Sequence, residues 1–363
     1  MKISVQTKQL VDASAKAARV ASTKLEALSG IMIDASDEGC EIQASDQELT
    51  IALPLEAQTH PAGQALVPAK LLADVARQLP GDSVDLELVG NELTVQSGKA
   101  SFTLRVLRAD DFPAMPDPMQ GSGITLPAAE FFDSVTRVSR SASKDETRPI
   151  LTGVLVSAEA DQLQMVATDS YRLALKKTAL PAAVQNDFEA IIPARALNEL
   201  AKLADKEEEI SLVLQDRRAV FMVADTVFST SLLAGSFPDF RQLIPSEFEH
   251  QLKMETQQLL ETAKRVSLLS KQNAPLKMSF ADNTLSMICQ TPEVGEAKEE
   301  LDAPYKGEPM EIGFAPEYLI SGLEAVGCEQ LSMKLISPTR PAVLASEDGS
   351  GLLYLLMPVR LSV

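Results

Sequence analysis

The stretch "ATDSYRLAL", Ala167 to Leu175, sets Asp169, Ser170, Tyr171 and Arg172 side by side between apolar residues. A carboxylate, a hydroxyl and a guanidinium so close together suggest acyl or phosphoryl chemistry, a hydrolase or transferase centred on Asp169, Ser170 and Arg172. Activating a serine hydroxyl requires a base within hydrogen-bond reach, most often His. The chain has two histidines, His60 and His250, both in polar segments that read as solvated loops. There is no HExxH, CxxC, GxxxxGK[ST], GxGxxG or GxSxG, so the common zinc, nucleotide and nucleophile-elbow arrangements are missing. Asp and Glu together number 51, too many for any pair to stand out as an acid and base. Neither a metal nor a cofactor is expected.

The elements that position this stretch repeat along the chain. "ATDSYRLAL" has an echo in "ASDQELTIAL", which places Asp46 and Asp169 123 positions apart, each after a Ser or Thr. A further 123 positions lead to Pro292, after the apolar alternation "NTLSMIC". A second family of echoes is "VPAKLLADVARQL", "IPARALNELAKL" and "FAPEYLISGLEAV". In each, Pro68, Pro193 or Pro316 is expected in the first turn of an amphipathic helix. A third is "AARVAS", "VTRVSR" and "AKRVSL", preceded by apolar stripes at helical spacing: Ala13, Ala17, Val20; Phe131, Val135, Val138; Leu259, Ala263, Val266. Phe112-Pro113 and Phe237-Pro238 mark the same period. Between helices, "GCEIQASDQELTIAL", "VDLELVGNELTVQSG" and "SLVLQDRRAVFMVA" alternate in period two, as antiparallel strands do.

The fold class is therefore α+β, three repeated domains at 1–122, 123–246 and 247–363, each running helix, strands, helix, strands on antiparallel sheet. The repeat also bears on the opening stretch. A catalytic Asp has no need of a copy in the neighbouring domain, whereas an Asp that bonds its own backbone in a turn recurs with the turn.

With 363 residues, 45% of them hydrophobic, the chain can build several cores. Cys40, Cys289 and Cys328 are an odd set with no close spacing, which points to a reducing compartment and a cytoplasmic protein. "MKISVQTKQL" is not a signal peptide, and "GLLYLLMPV" is too short to span a bilayer. The net charge of -18 argues against nucleic acid covering the whole surface. The first helix of each repeat is nonetheless basic, with Lys8, Lys16, Arg19 and Lys24, then Arg137 and Lys144, then Lys264, Arg265 and Lys271. Ser134, Arg137, Ser141 and Lys144 are expected on one polar face opposite the Phe131–Val138 stripe. Such runs are commonly solvated helix faces. Repeated on equivalent helices, they would make a positive lining for a duplex met at its phosphates alone. A scaffold that binds proteins but never DNA is the other non-enzymatic reading.

With three such domains, "TRPILTGV", "TDSYRLA", "FPDF" and "YLLMPVRL" in order, the chain resembles the bacterial beta sliding clamps, the processivity subunits of replicative DNA polymerase, over its whole length. The resemblance implies a non-catalytic, ring-forming head-to-tail homodimer around double-stranded DNA, without sequence preference. The implied partners are the DNA polymerase III alpha subunit, the clamp loader and other clamp-motif proteins of replication and repair. Matched motif to motif, the partner-peptide pocket would be Leu151, Thr168, Ser170, Tyr171, Arg172, Leu173, Pro238, Leu243, Leu355, Met357, Pro358 and Arg360. DNA would be met by Lys24, Lys70, Lys144, Arg148, Pro149, Arg195 and Lys202. The dimer contact would join Leu71, Val75, Phe102 and Leu104 of one chain to Leu268 and Leu269 of the other. Tyr171 stands where the family often has His and Gln242 where Arg is common, and both bear on peptide preference.

Overall fold

A computed structural model describes residues 1–36, 39–59, 61–117, 122–203, 208–215, 217–271 and 274–361; His60 lies outside them. Six α-helices occur among the described residues: α1 (Thr7–Val20), α2 (Ala69–Arg77), α3 (Ala128–Val138), α4 (Ala194–Leu203), α5 (Thr256–Val266) and α6 (Pro316–Val326). None is long and apolar enough to cross a membrane.

The stripes read from the sequence are the faces these helices bury. Ala13, Ala17 and Val20 of α1, Phe131, Val135 and Val138 of α3, and Leu259, Ala263 and Val266 of α5 are all nearly inaccessible to solvent. Spacing of three and four residues puts each trio on one side of its helix, and burying that side against sheet is what makes the helix stable. The polar face expected for α3 needs correction. Ser134 is fully buried, bonded to the Glu130 carbonyl and the Thr178 hydroxyl, and α3 ends at Val138, so Ser141 and Lys144 are not on it. Arg137 is turned inward, onto Asp133 and the carbonyls of Ala325 and Val326 at the end of α6.

Two further expectations change. Each repeat opens on a strand (Lys2–Gln6, Ser122–Pro127 and His250–Glu255) rather than on its helix. Pro68 and Pro193 are the last residues of strands and stand one position before the helix; only Pro316 lies in the first turn. Proline's fixed φ suits the extended end of a strand as well as a helix start, so the residue marks the junction and not its side. His250 is no loop residue either: it begins a strand, and its ring packs on that of Tyr305.

The chain forms two compact units. Residues 1–128 and 202–232 make the first, 129–201 and 233–363 the second. In the first, an eight-stranded antiparallel sheet crosses from one repeat to the next where Thr226–Ser231 pairs with Leu49–Leu55, Phe228 opposite Ile51. A five-stranded sheet ends on the edge strand Ala100–Arg105. In the second, an eight-stranded sheet crosses repeats where Arg172–Ala179 pairs with Leu352–Leu356, and a four-stranded sheet ends on the edge strand Gly295–Asp302. The middle repeat is thus split, each half completing a neighbour's sheet.

Candidate functional site

The opening stretch is a turn followed by a strand. Asp169 Oδ1 accepts the backbone N–H groups of Tyr171 and Arg172, both at 3.0 Å, and Oδ2 accepts Arg172 Nε at 2.9 Å. The Thr168 hydroxyl donates to the Arg172 carbonyl at 2.7 Å. The first repeat builds the same turn: Asp46 Oδ1 accepts the N–H groups of Glu48 and Leu49, and the Ser45 hydroxyl bonds the Leu49 carbonyl. The tightest marker is the backbone. Gln47, Ser170 and Glu293 adopt φ of 79°, 80° and 62°, a left-handed conformation uncommon outside glycine, at intervals of 123 residues. The third copy keeps the turn without the Asp. Asp169 is therefore committed to its turn, and Ser170 Oγ meets Arg148 Nη1 at 3.0 Å rather than a base.

The turn stands where two repeats join. Leu173 pairs with Leu355 across the shared sheet, and the Met357 N–H donates to the Tyr171 carbonyl at 2.9 Å. Beneath lies an apolar cluster that includes Leu155, Leu173, Ile191, Phe240 and Leu355, with Ile150, Phe237 and Ile244 packed against it. Leu151 and Thr168 are buried as well. At the surface, Tyr171 is 57% exposed, Leu243 50% and Met357 38%, an unusual concession for large apolar side chains from sequence-distant segments. Ser170, Pro238 and Arg360 are exposed and Pro358 half-buried. Arg172 is held by Asp169 and lies 4.6 Å from the ring centre of Tyr318. Burial pulls its guanidinium down, but Tyr354 and Asp169 outweigh that and hold it above the usual arginine value.

Sequence reasoning missed Tyr318 and Tyr354. Tyr318 stacks with Tyr171 at 6.1 Å between ring centres, and the fully buried Tyr354 donates its hydroxyl to the Tyr318 carbonyl at 2.9 Å. Burial, then the Asp169 and Glu317 charges, hold the Tyr318 hydroxyl above the usual tyrosine range. The chain has only four tyrosines, three of which gather here, and that scarcity was the available signal. Tyr354 also explains Gly322: a Cβ there would sit 2.5 Å from Tyr354 Cε1. Gly322→Ala is expected to lower stability by about 1–3 kcal/mol through overpacking, despite alanine's better helix propensity, as thermal unfolding would measure.

The basic residues divide into two groups. Lys264 and Arg140 both pair with Glu324, and Arg265 pairs with Glu299, so these charges are balanced within the chain. Hydrogen bonds from Lys264 and Arg265 accordingly hold Glu324 and Glu299 below the usual carboxylate range. Lys24, Lys70 and Lys144 are exposed and in no ion pair among the described residues. Lys24 and Lys144 occupy equivalent loops: the N–H of Ser22 bonds the Leu28 carbonyl and that of Ser143 the Leu151 carbonyl, both at 2.8 Å. Arg148 is exposed, bonded to Asp145 at 2.9 Å, and Pro149 opens the short turn Pro149–Thr152. Arg195 and Lys202 are exposed on α4.

Of the residues matched to a dimer contact, Leu268 is 78% exposed and Leu71 46%, both high for leucine. Leu269 and Phe102 are half-buried, while Val75 and Leu104 are buried within their own unit. Leu104 and Phe102 belong to the edge strand Ala100–Arg105.

Models of the DNA polymerase III beta subunit match the chain end to end: the N-terminal domain at residues 1–116, the central domain at 125–239 and the C-terminal domain at 241–360. The beta sliding clamp of Streptomyces coelicolor is 32% identical over the whole of both chains, and that of Bacillus subtilis 29% identical over 99% of this chain and 100% of its own. The crystal structure of the Bacillus subtilis sliding clamp superposes with a TM-score of 0.95 at 28% identity, covering both chains completely. The beta subunit from Pseudomonas aeruginosa gives 0.94 at 27%, covering 99% of this chain and 100% of that one. Three repeats sharing sheets, with the Asp169 carboxylate held in a turn, match a DNA sliding clamp, a processivity factor without catalytic activity. The chain belongs to the DNA polymerase III beta subunit family. The hydrolase or transferase reading and the protein-only scaffold reading both fall with that membership.

Proposed function

We propose that two copies close head to tail into a ring around double-stranded DNA, and that the pocket under Tyr171, Leu243 and Met357 holds a short peptide carried by each partner. The partners would be the DNA polymerase III alpha subunit, the clamp loader and other clamp-motif proteins of replication and repair, acting in the cytoplasm. Domain limits at 1–122, 123–246 and 247–363 fit this reading. The observation that carries it is the exposure of three large apolar side chains from separate segments over one buried cluster. Such a surface suits apolar anchors, with Pro238, Pro358, Ser170 and Arg360 at the rim.

Duplex DNA would be met by Lys24, Lys70, Lys144, Arg148, Arg195 and Lys202, with Pro149 at the same loop. Lysines in no ion pair among the described residues, as at Lys24, Lys70 and Lys144, are the ones best placed to replace counterions on phosphate. Replacing Lys24, Lys144 and Arg148 by Glu should cut retention on nicked circular duplex while leaving assembly and melting unchanged. The slope of log affinity against log salt should fall by roughly one unit for each phosphate no longer neutralised. Retention that depends on base sequence, or a salt slope unmoved by the triple substitution, would overturn this part of the reading.

A further inference from the structure

We propose that Arg265 locks the ring by donating, through Nη1, to the carbonyls of Gln78 and Leu79 at the end of α2 of the other copy; this rests on the head-to-tail ring proposed above. The joint between the second and third repeats shows how such a contact is built. Arg137, near the end of α3, keeps Nε on Asp133 Oδ1 at 2.8 Å and turns Nη1 to the carbonyls of Ala325 and Val326, where α6 ends. The last carbonyls of a helix have no partner within it, and a cation is favoured at that negative end. Arg265 holds the same place on α5. The helix starts Ala128 and Thr256, the acidic residues Asp133 and Glu261, and the two arginines are each 128 positions apart. Glu299 follows Lys176 by 123 positions. Where Lys176 pairs with Asp133, Glu299 accepts Arg265 Nε at 3.0 Å and Nη2 as well. That leaves Nη1, which among the described residues meets only Glu261 Oε2, at 3.8 Å.

The Arg265 side chain is 53% exposed, against 20% for Arg137, which the next repeat covers. What would cover Arg265 follows from the strands beside it. Gly295–Asp302 is the copy of Arg172–Ala179, 123 positions on, and Ala100–Arg105 is the copy of Thr226–Ser231, 126 positions earlier. Arg172–Ala179 and Thr226–Ser231 each pair across a repeat boundary, whereas their two copies are sheet edges. A third repeat set against the first repeat of another copy would restore that pairing. It would bring the end of α2 to α5 as the end of α6 comes to α3. The helices α2 and α6 begin at Ala69 and Pro316, 247 positions apart. Asp82 and Glu329, whose carbonyls accept the N–H groups of Thr7 and Thr256, keep the same interval. On that interval Ala325 and Val326 correspond to Gln78 and Leu79. Two carbonyls facing one guanidinium nitrogen make charge-assisted bonds, the stronger class of hydrogen bond.

The test is Arg265→Lys, read by sedimentation velocity over a dilution series, with far-UV circular dichroism matching the parent to certify the fold. A lysine keeps the pair with Glu299 but has no second nitrogen for the carbonyls. Each contact should weaken about ten-fold, and the dimer, which must break two of them, on the order of a hundred-fold. The same substitution in a Glu299→Gln background should weaken the dimer by the same factor, because the acceptors lie in the other copy and not in Glu299. A dimer that Arg265→Lys leaves unchanged overturns the lock and leaves the ring standing. So does a loss that is absent from the Glu299→Gln background, since the arginine would then act only through that carboxylate. An intact chain that stays monomeric at every concentration overturns the ring, and the lock with it.

Discussion

Leu268→Ala combined with Leu269→Ala is expected to convert the dimer to monomer. Leu268 is 78% exposed in a short turn at the end of α5, and Val294, beside the edge strand Gly295–Asp302, is 42% exposed. The other proposed half of the contact offers Leu71, 46% exposed on α2, and the edge strand Ala100–Arg105. A head-to-tail pairing brings two different surfaces together, and a two-fold ring repeats that pairing twice. At about 2 kcal/mol for each buried leucine truncated, the low end of the usual range, one such interface weakens on the order of a thousand-fold. Charge contributes less. Arg77 on α2 is paired with Asp74, and on the edge strand Gly295–Asp302 Lys298 is paired with Glu300 and Glu299 with Arg265, so both surfaces are partly neutralised within the chain. Salt should therefore shift the dimer equilibrium only modestly. Sedimentation velocity across a dilution series checks both statements. An undissociated double variant at low concentration sinks the interface, provided its melting matches the parent, as the exposure of Leu268 leads one to expect.

How much of this was legible without coordinates follows from the range of each interaction. The buried stripes of α1, α3 and α5 are local patterns, and the structure buries every residue of them. The turn at Asp169 is also local, and its twin at Asp46 gave it away, since the same carboxylate-to-backbone bonds recur. Long-range pairing was invisible. Nothing in "RLALKK" announces that its edge partner is "LLYLL", and nothing in "VFSTS" announces Leu49–Leu55. The same blindness affected charge: Lys264 and Arg265 look available in sequence but meet Glu324 and Glu299 in space. It affected burial too, because Ser134 reads as polar surface until its hydroxyl is found between the Glu130 carbonyl and Thr178. Family resemblance supplied the residues proposed for the pocket, but it could not say which would be floor and which rim. Leu173 and Leu355 are buried, at 1% and 2% exposure, and would be floor, whereas Leu243 and Met357 stand at the surface.

That division between floor and rim decides which substitution can test the pocket. Leu173→Ala or Leu355→Ala would empty part of the core and cost about 2–5 kcal/mol of stability, so failure to bind peptide would prove nothing. Leu243→Ala with Met357→Ala removes side chains that stand at the surface, 50% and 38% exposed, and so costs the free protein far less than emptying the core. Anchors in a small interface are each worth roughly 2 kcal/mol or more, so the pair should weaken a polymerase C-terminal peptide on the order of a thousand-fold. Melting temperature and dimer mass should stay where they were, because Leu243 lies in the turn Arg241–Leu243 and Met357 just beyond the strand Leu352–Leu356. The backbone bond from the Met357 N–H to the Tyr171 carbonyl survives the change, so the join between the two repeats is kept. Calorimetric or anisotropy titration gives the answer directly. A double variant that holds the peptide as tightly as the intact protein removes the binding site from this surface, and the exposure of Leu243, Tyr171 and Met357 would then need another partner to explain it.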